Sequence, residues 1–274
     1  MFPRISRRSV VVALTAALTS WAAAPALAQD ASKPQLVIGG TAGSNIDQLQ
    51  AGIVPLLKAK GYKVKLVEFN DYMQTNLALA DGSLDANFFQ HEVYFNHFKG
   101  DRKLDLKALV QGPIAPMGVY SKQRKSLAEL KDGDRVALPN DASNLARGLL
   151  LLQQAGLITL KADANPLRVS ELDVAQNPKK IKLVPLDAAH LPRSLDDVQF
   201  AIINGNFAIS SGLKLKDAVL LEKTPDHYLN IVAVKTKDAG AQWAKDLEAA
   251  FRSAEFKKVV DAQFAGYAKP AFLQ

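Results

Sequence analysis

From residue 35 onward, apolar positions fall into short runs that switch between strand-like and helix-like spacing. The Gln35–Gly39 stretch centres on Leu36-Val37-Ile38, a continuous apolar run that predicts a buried strand. Asn45–Lys60 places Ile46, Leu49, Ile53, Leu56 and Leu57 on one helical face, and Gly61 ends it as a C-terminal glycine does. Lys63–Phe69 alternates and predicts a second strand, followed by a helix over Met73–Ala80, a turn at Asp81-Gly82 and a strand over Leu84–Phe89. Leu106–Leu109 and Met117–Tyr120 read as further strands. A second series then begins, with a short helix at Leu127–Leu130, a strand at Arg135–Leu138 and a helix over Asn144–Ala155 closed by Gly156. Strands are predicted at Ile181–Leu186, Val198–Asn204 and Tyr228–Val234, and two amphipathic helices, Gln242–Arg252 and Glu255–Phe264, complete the chain. Strands alternating with helices predict an α/β architecture with mostly parallel sheets.

A short internal echo suggests that the two series are related units. Ser83-Leu84-Asp85 and Ser194-Leu195-Asp196 each lead into an apolar strand that ends in polar or aromatic residues. In open α/β sheets ligands bind beyond the carboxyl ends of strands, so two such units predict two lobes facing one cleft.

Composition narrows the chemistry. The 274 residues include no cysteine, which removes disulfides, thiolate metal sites, a cysteine nucleophile and lipid attached through Cys. Arg4, Arg7 and Arg8 precede an uncharged stretch ending in Ala26-Leu27-Ala28, the pattern of a cleaved export signal over residues 1–28. The Arg7-Arg8 pair leaves Sec and Tat export open. Beyond residue 28 the chain holds 31 basic against 27 acidic side chains, and the net charge falls from +7 to +4. Those charges alternate in sign rather than forming a basic face, so no nucleic-acid partner is expected. Phosphate-loop, nucleophile-elbow and zinc-protease motifs are absent, and His91 and His97 are spaced poorly for a shared metal. No catalytic residue, cofactor or metal is expected.

Two stretches carry candidate binding chemistry. Phe88-Phe89-Gln90-His91-Glu92-Val93-Tyr94-Phe95 follows a predicted strand end. Alternation directs Phe88 to the core and Phe89 and His91 to the cleft, and a helix starting near His91 brings Tyr94 onto the same face. Tyr72, at another strand end, extends this aromatic wall, which suits an elongated apolar side chain, a thioether included. In the second stretch, Pro139–Arg147, Ser143 or Asp141 can cap a helix whose N-terminus offers N–H groups to an anion. Arg147, placed in its first turn, and Asn144 could hold a carboxylate, the Arg through two parallel hydrogen bonds. Asn204, Asn206 and Asn230 supply neutral acceptors for an ammonium group. The inventory matches a zwitterion.

The ordered motifs Phe69-Asn-Asp-Tyr72, Asp85-Ala-Asn-Phe-Phe-Gln-His91, Asn144-Leu-Ala-Arg147, Leu191-Pro-Arg-Ser-Leu-Asp-Asp197, Ile203-Asn-Gly-Asn206 and Tyr228-Leu-Asn230 extend over nearly the whole chain beyond residue 28. In these it resembles the substrate-binding components of bacterial methionine ABC importers, the NlpA-type methionine-binding lipoproteins. The resemblance implies a two-lobed type II periplasmic binding protein with a ligand cleft between lobes. Residues 29–120 plus 230–274 would form one lobe and 121–229 the other, with crossings near 112–121 and 224–231. It implies that Tyr72, Phe89, His91 and Tyr94 surround the methionine side chain, that Arg147 and Asn144 hold the carboxylate, and that Asn204 and Asn230 hold the head group, with Asn206 a weaker candidate. The implied activity is non-catalytic: binding L-methionine and delivering it, as a monomer, to a membrane permease and ATPase. D-methionine, a methionine derivative, a short methionine-containing peptide or another apolar amino acid remain open as ligands. A periplasmic enzyme or a surface antigen on the same lobes remain open as roles. Two departures stand out. Gly40–Asp47 lacks the family's usual Pro-His, and the lipobox cysteine is missing, which predicts a soluble periplasmic protein without a lipid anchor.

Overall fold

The computed structural model describes residues 30–274; the expected export signal lies outside the described residues. The first lobe runs through β1 (Gln35–Thr41), α1 (Ser44–Gln48), a π-helical turn at Leu49–Ile53, α2 (Val54–Ala59), β2 (Lys63–Phe69) and α3 (Tyr72–Asp81). It continues with β3 (Ala86–His91), α4 (Glu92–Asp101) and β4 (Leu106–Gly112). The chain crosses at 113–117 into the second lobe, built from β5 (Gly118–Tyr120), β6 (Arg135–Pro139), α5 (Ala142–Gln154), β7 (Thr159–Leu160), β8 (Val174–Gln176) and β9 (Lys182–Leu186). There follow α6 (Leu191–Ser194), β10 (Phe200–Ile203), α7 (Gly205–Ser210) and β11 (Leu220–Leu221). It returns through 222–229 as β12 (Asn230–Lys235), and α8 (Gln242–Phe251) and α9 (Ala254–Gln263) pack on the first lobe.

Strand order is β2-β1-β3-β12-β4 in the first sheet and β11-β5-β10-β6-β9 in the second. Each sheet is mixed rather than mostly parallel. The strands β12 and β5 both start at a crossing, so they run away from the cleft, against neighbours that end at it; Asn230 thus pairs with His91, and Gly118 with Ile203. For the same reason Gly118–Tyr120, expected at the end of the first lobe, belongs to the second sheet. The echo maps onto β3 and β10, the middle strand of each sheet.

Both faces of the first sheet are covered. Phe88 packs edge-to-face on Phe251, 5.0 Å between ring centres, in a core with Leu36, Ile38, Leu57 and Phe256. Leu79, Leu84, Phe95 and Ile231 fill the opposite side. The single helix predicted over 45–60 is interrupted at the π turn. Pro55, second in α2, has no N–H to give to residue 51, and its ring would collide with that carbonyl; widening the preceding turn removes the conflict. Gly52 within the turn allows the approach of α9, since a Cβ there would lie 2.4 Å from Phe256 Cδ2.

Candidate functional site

Between the lobes lies a cavity with about 350 Å³ of space between its lining atoms, open solvent at its mouth included. Tyr72, Phe89, His91, Tyr94 and Asn230 line it from the first lobe, and Asn144, Arg147, Asn204 and Asn206 from the second. The structure therefore brings every sequence-predicted site residue to one place.

The aromatic side is built from adjacent elements. Asp71 caps α3 by accepting from Gln74 N (2.8 Å), which sets Tyr72 at the helix start. The Tyr72 ring centre lies 5.6 Å from those of both Phe89 and Tyr94. Phe207, in the Asn204–Phe207 stretch after β10, completes the stack at 5.1 Å from Tyr72. It escaped the sequence reading, although it follows directly on a recognised motif. The Tyr72 hydroxyl donates to Asn206 Oδ1 across the cleft (2.7 Å).

His91 ends β3 and caps α4, its Nδ1 accepting from Tyr94 N at 3.1 Å. Burial, reinforced by the Arg147 charge, pushes its pKa down to about 3. The ring is therefore neutral, its proton sits on Nε2, and it donates to Asn144 Oδ1 (3.1 Å).

A chain of amides runs on from there. Asn144 Oδ1 also accepts from Asn204 Nδ2 (2.7 Å), while Asn144 Nδ2 donates to both Asp141 oxygens (3.1 and 2.9 Å). With its NH2 committed, Asn204 is left with Oδ1 buried and, among the described residues, unpartnered. Asn230 is held the same way, its Nδ2 donating to Asn45 Oδ1 (3.1 Å) and the Pro113 carbonyl (3.3 Å), and its Oδ1 is likewise buried and unpartnered. Buried acceptors of this kind are costly unless a ligand donates to them. Ser44 and Asn45, in the loop for which the sequence supported no contacts, also line the cavity.

Two expectations at α5 are corrected. The helix begins at Ala142, so Arg147 lies beyond its first turn and the dipole plays no part in its placement. Nor is the helix N-terminus open to an anion, because Asp141 fills it, accepting from Asn144 N (3.0 Å) and from Ser143 Oγ (2.9 Å). Arg147 instead finds an anion inside the protein. Its Nε and Nη2 donate to Glu222 Oε1 and Oε2 at 2.7 and 2.6 Å, with both side chains buried. The two-pronged edge is thus taken, and Nη1 remains as the guanidinium nitrogen free of protein hydrogen bonds among the described residues. Burial alone would raise the Glu222 pKa, but the guanidinium outweighs it and holds the carboxyl below its ordinary value. Glu222 escaped the sequence reading because nothing local marks a residue 75 positions from its partner.

The family described as NlpA lipoprotein matches over residues 36–272. The chain belongs to the NlpA lipoprotein family. Among its NlpA relatives, one from Vibrio cholerae named probable D-methionine-binding lipoprotein MetQ is 40% identical over 230 residues, covering 84% of this chain and 85% of that protein. A solved structure of a nutrient binding protein from Burkholderia cenocepacia bound to methionine is 43% identical, with a TM-score of 0.81, and covers 85% of this chain and 99% of that one. Another, of an ABC transporter periplasmic substrate-binding protein from Coxiella burnetii, is 40% identical with a TM-score of 0.79, covering 86% and 100%. The chain shares with these solved structures the two-lobed type II periplasmic binding architecture that the resemblance implied. Relatives carry the name lipoprotein, which is at odds with the expected lack of a lipid anchor; this NlpA chain contains no cysteine in its 274 residues. No helix among the described residues is long and apolar enough to cross a membrane.

Proposed function

We propose that this chain is the periplasmic substrate-binding component of an ABC importer and that methionine occupies the cavity between its lobes. The observation that carries this is the pair of unpartnered buried acceptors, Asn204 Oδ1 and Asn230 Oδ1, in the same cavity as Arg147 and a wall of aromatic rings. Two neutral oxygens suit an ammonium group, the free Nη1 of Arg147 suits a carboxylate, and the rings Tyr72, Phe89 and Tyr94 suit a flexible thioether. The Burkholderia relative bound to methionine and the Vibrio relative named for D-methionine support the same ligand.

On this reading the protein carries its ligand and does no chemistry on it. His91 is neutral, donates to Asn144 and accepts from a backbone amide, so both ring nitrogens are engaged in structure. The chain delivers the ligand to a permease and ATPase, and without a cysteine to take a lipid it works free in the periplasm as a monomer. Mass spectrometry of ligand released on denaturing the purified protein, followed by calorimetry with L- and D-methionine, tests the reading. Methionine in the released fraction and a one-to-one titration with L-methionine are expected. A different bound ligand with no heat from either enantiomer would overturn it. An intact mass carrying diacylglycerol would overturn the soluble location.

A further inference from the structure

Arg147 is the one charged side chain lining the cavity among the described residues, since His91 is neutral there. Alone it would make the site cationic, and among buried side chains a net charge is felt strongly by any ligand. Glu222 lies on the other side of the guanidinium, outside the cavity lining, and takes the whole Nε–Nη2 edge. Its carboxylate is anchored by Thr224 Oγ1 (2.8 Å) and faces Met117 N (3.4 Å), both on the segments that cross between the lobes. Tyr228, on the same crossing, lies under the guanidinium, 4.7 Å from ring centre to Cζ. The counter-charge is thus fixed at the hinge rather than on the opposing lobe.

We propose that Glu222 is a specificity-determining residue: by neutralising Arg147 from behind, it makes the cavity select a ligand of zero net charge, a free zwitterionic amino acid. N-acylated derivatives, which are net negative, and amidated ones, which are net positive, are then disfavoured by charge as well as by shape. The inference rests on reading the cavity as an amino-acid site. Glu222 acts through Arg147 and does not touch the ligand.

Arg147→Ala is a poor test, because it strands a buried carboxylate and destabilises the fold. Glu222→Gln keeps the shape and removes the charge. Calorimetry of the full chain and of this variant is read with methionine, N-acetylmethionine and methioninamide. In Glu222→Gln the affinity for N-acetylmethionine relative to methionine is expected to rise by about tenfold or more, and that for methioninamide to fall. The bulk of the acyl group is common to both proteins and cancels in the ratio. Glu222→Asp, which keeps the charge at shorter reach, is expected to hold the wild-type ratio even if all affinities drop. The double variant Arg147→Gln with Glu222→Gln leaves no lone buried charge, so it provides a reading even if Glu222→Gln fails to fold. Its N-acetylmethionine-to-methionine ratio is expected to match that of the wild type, because both ligands carry the carboxylate that Arg147 would meet. An equal loss for all three ligands in Glu222→Gln, or a shifted ratio in the double variant, would overturn the proposal. Wild-type protein that binds no methionine would overturn the amino-acid reading itself, and with it the charge selection. A wild type that binds methionine beside an unchanged Gln-variant ratio would remove only Glu222.

Discussion

At the scale of single residues, orientation matters as much as identity. Asn204 and Asn230 become ligand acceptors because their NH2 groups are already spent, on Asn144 in one case and on Asn45 and Pro113 in the other. Hydrogen bonds to charged groups contribute about 1.5–3 kcal/mol each. Asn204→Ala and Asn230→Ala are therefore each expected to weaken methionine binding by roughly tenfold to a hundredfold in calorimetry, and unchanged affinity would remove that residue from the head-group site. His91 carries a second consequence. Its folded pKa of about 3 lies below the ordinary 6.5, so between those values the unfolded chain binds a proton that the folded one does not. This stability contribution is intact above pH 6.5 and is lost as pH falls, by about 1.4 kcal/mol per pH unit. Urea unfolding at pH 7 and pH 5 should show wild-type protein losing about 2 kcal/mol more than His91→Asn; equal losses would mean that His91 titrates normally. The type and position of these residues were legible, because ligand groups cluster at the strand ends that face the cleft. The partners that aim them were not, since Asn230 meets Asn45 from 185 positions away.

At the scale of elements, α5 ties local structure to the site. Asp141 caps the helix and also holds the Asn144 amide, which in turn receives His91 and Asn204. Asp141→Ala is expected to cost about 1 kcal/mol of stability by denaturant titration, as N-cap losses do. It should also weaken methionine binding, because Asn144 is free to turn. A stability loss with unchanged affinity would reduce Asp141 to a cap alone. Apolar periodicity revealed most strands and helices, since each buries a regular face. It failed at Leu49–Ile53, because the exposed Pro55 that follows disturbs the backbone pattern and leaves the apolar face on the other side regular. It also misjudged sheet sense, which depends on where the chain crosses between lobes rather than on any single strand.

At the scale of the whole molecule, the lobes meet through Tyr72–Asn206, His91–Asn144 and Thr41–Asn206 hydrogen bonds across the cleft. A ligand that touches both sides favours this closed arrangement. Gly43, at φ 79° before α1, makes the approach to α7 possible: a Cβ there would lie 2.9 Å from Ser210 Cβ and 3.1 Å from the Asn206 carbonyl. Gly43→Ala combines that collision with a backbone conformation unfavourable to L residues. It is expected to lower methionine affinity by about tenfold and to reduce the ligand-induced compaction seen by small-angle scattering. Normal compaction would show that closure does not need this glycine. By itself, the sequence determined most of the longer strands and helices, where the ligand-type residues stand, and which family the motif order resembles. These follow from local spacing and from residue chemistry. Only the tertiary structure decided that Arg147 answers to Glu222, that Asn204 and Asn230 present oxygen rather than nitrogen, and that Asp141 rather than a ligand fills the N-terminus of α5. The first two outcomes depend on which groups meet after two crossings of the chain, and a hydrogen bond leaves no periodicity in the sequence between its partners.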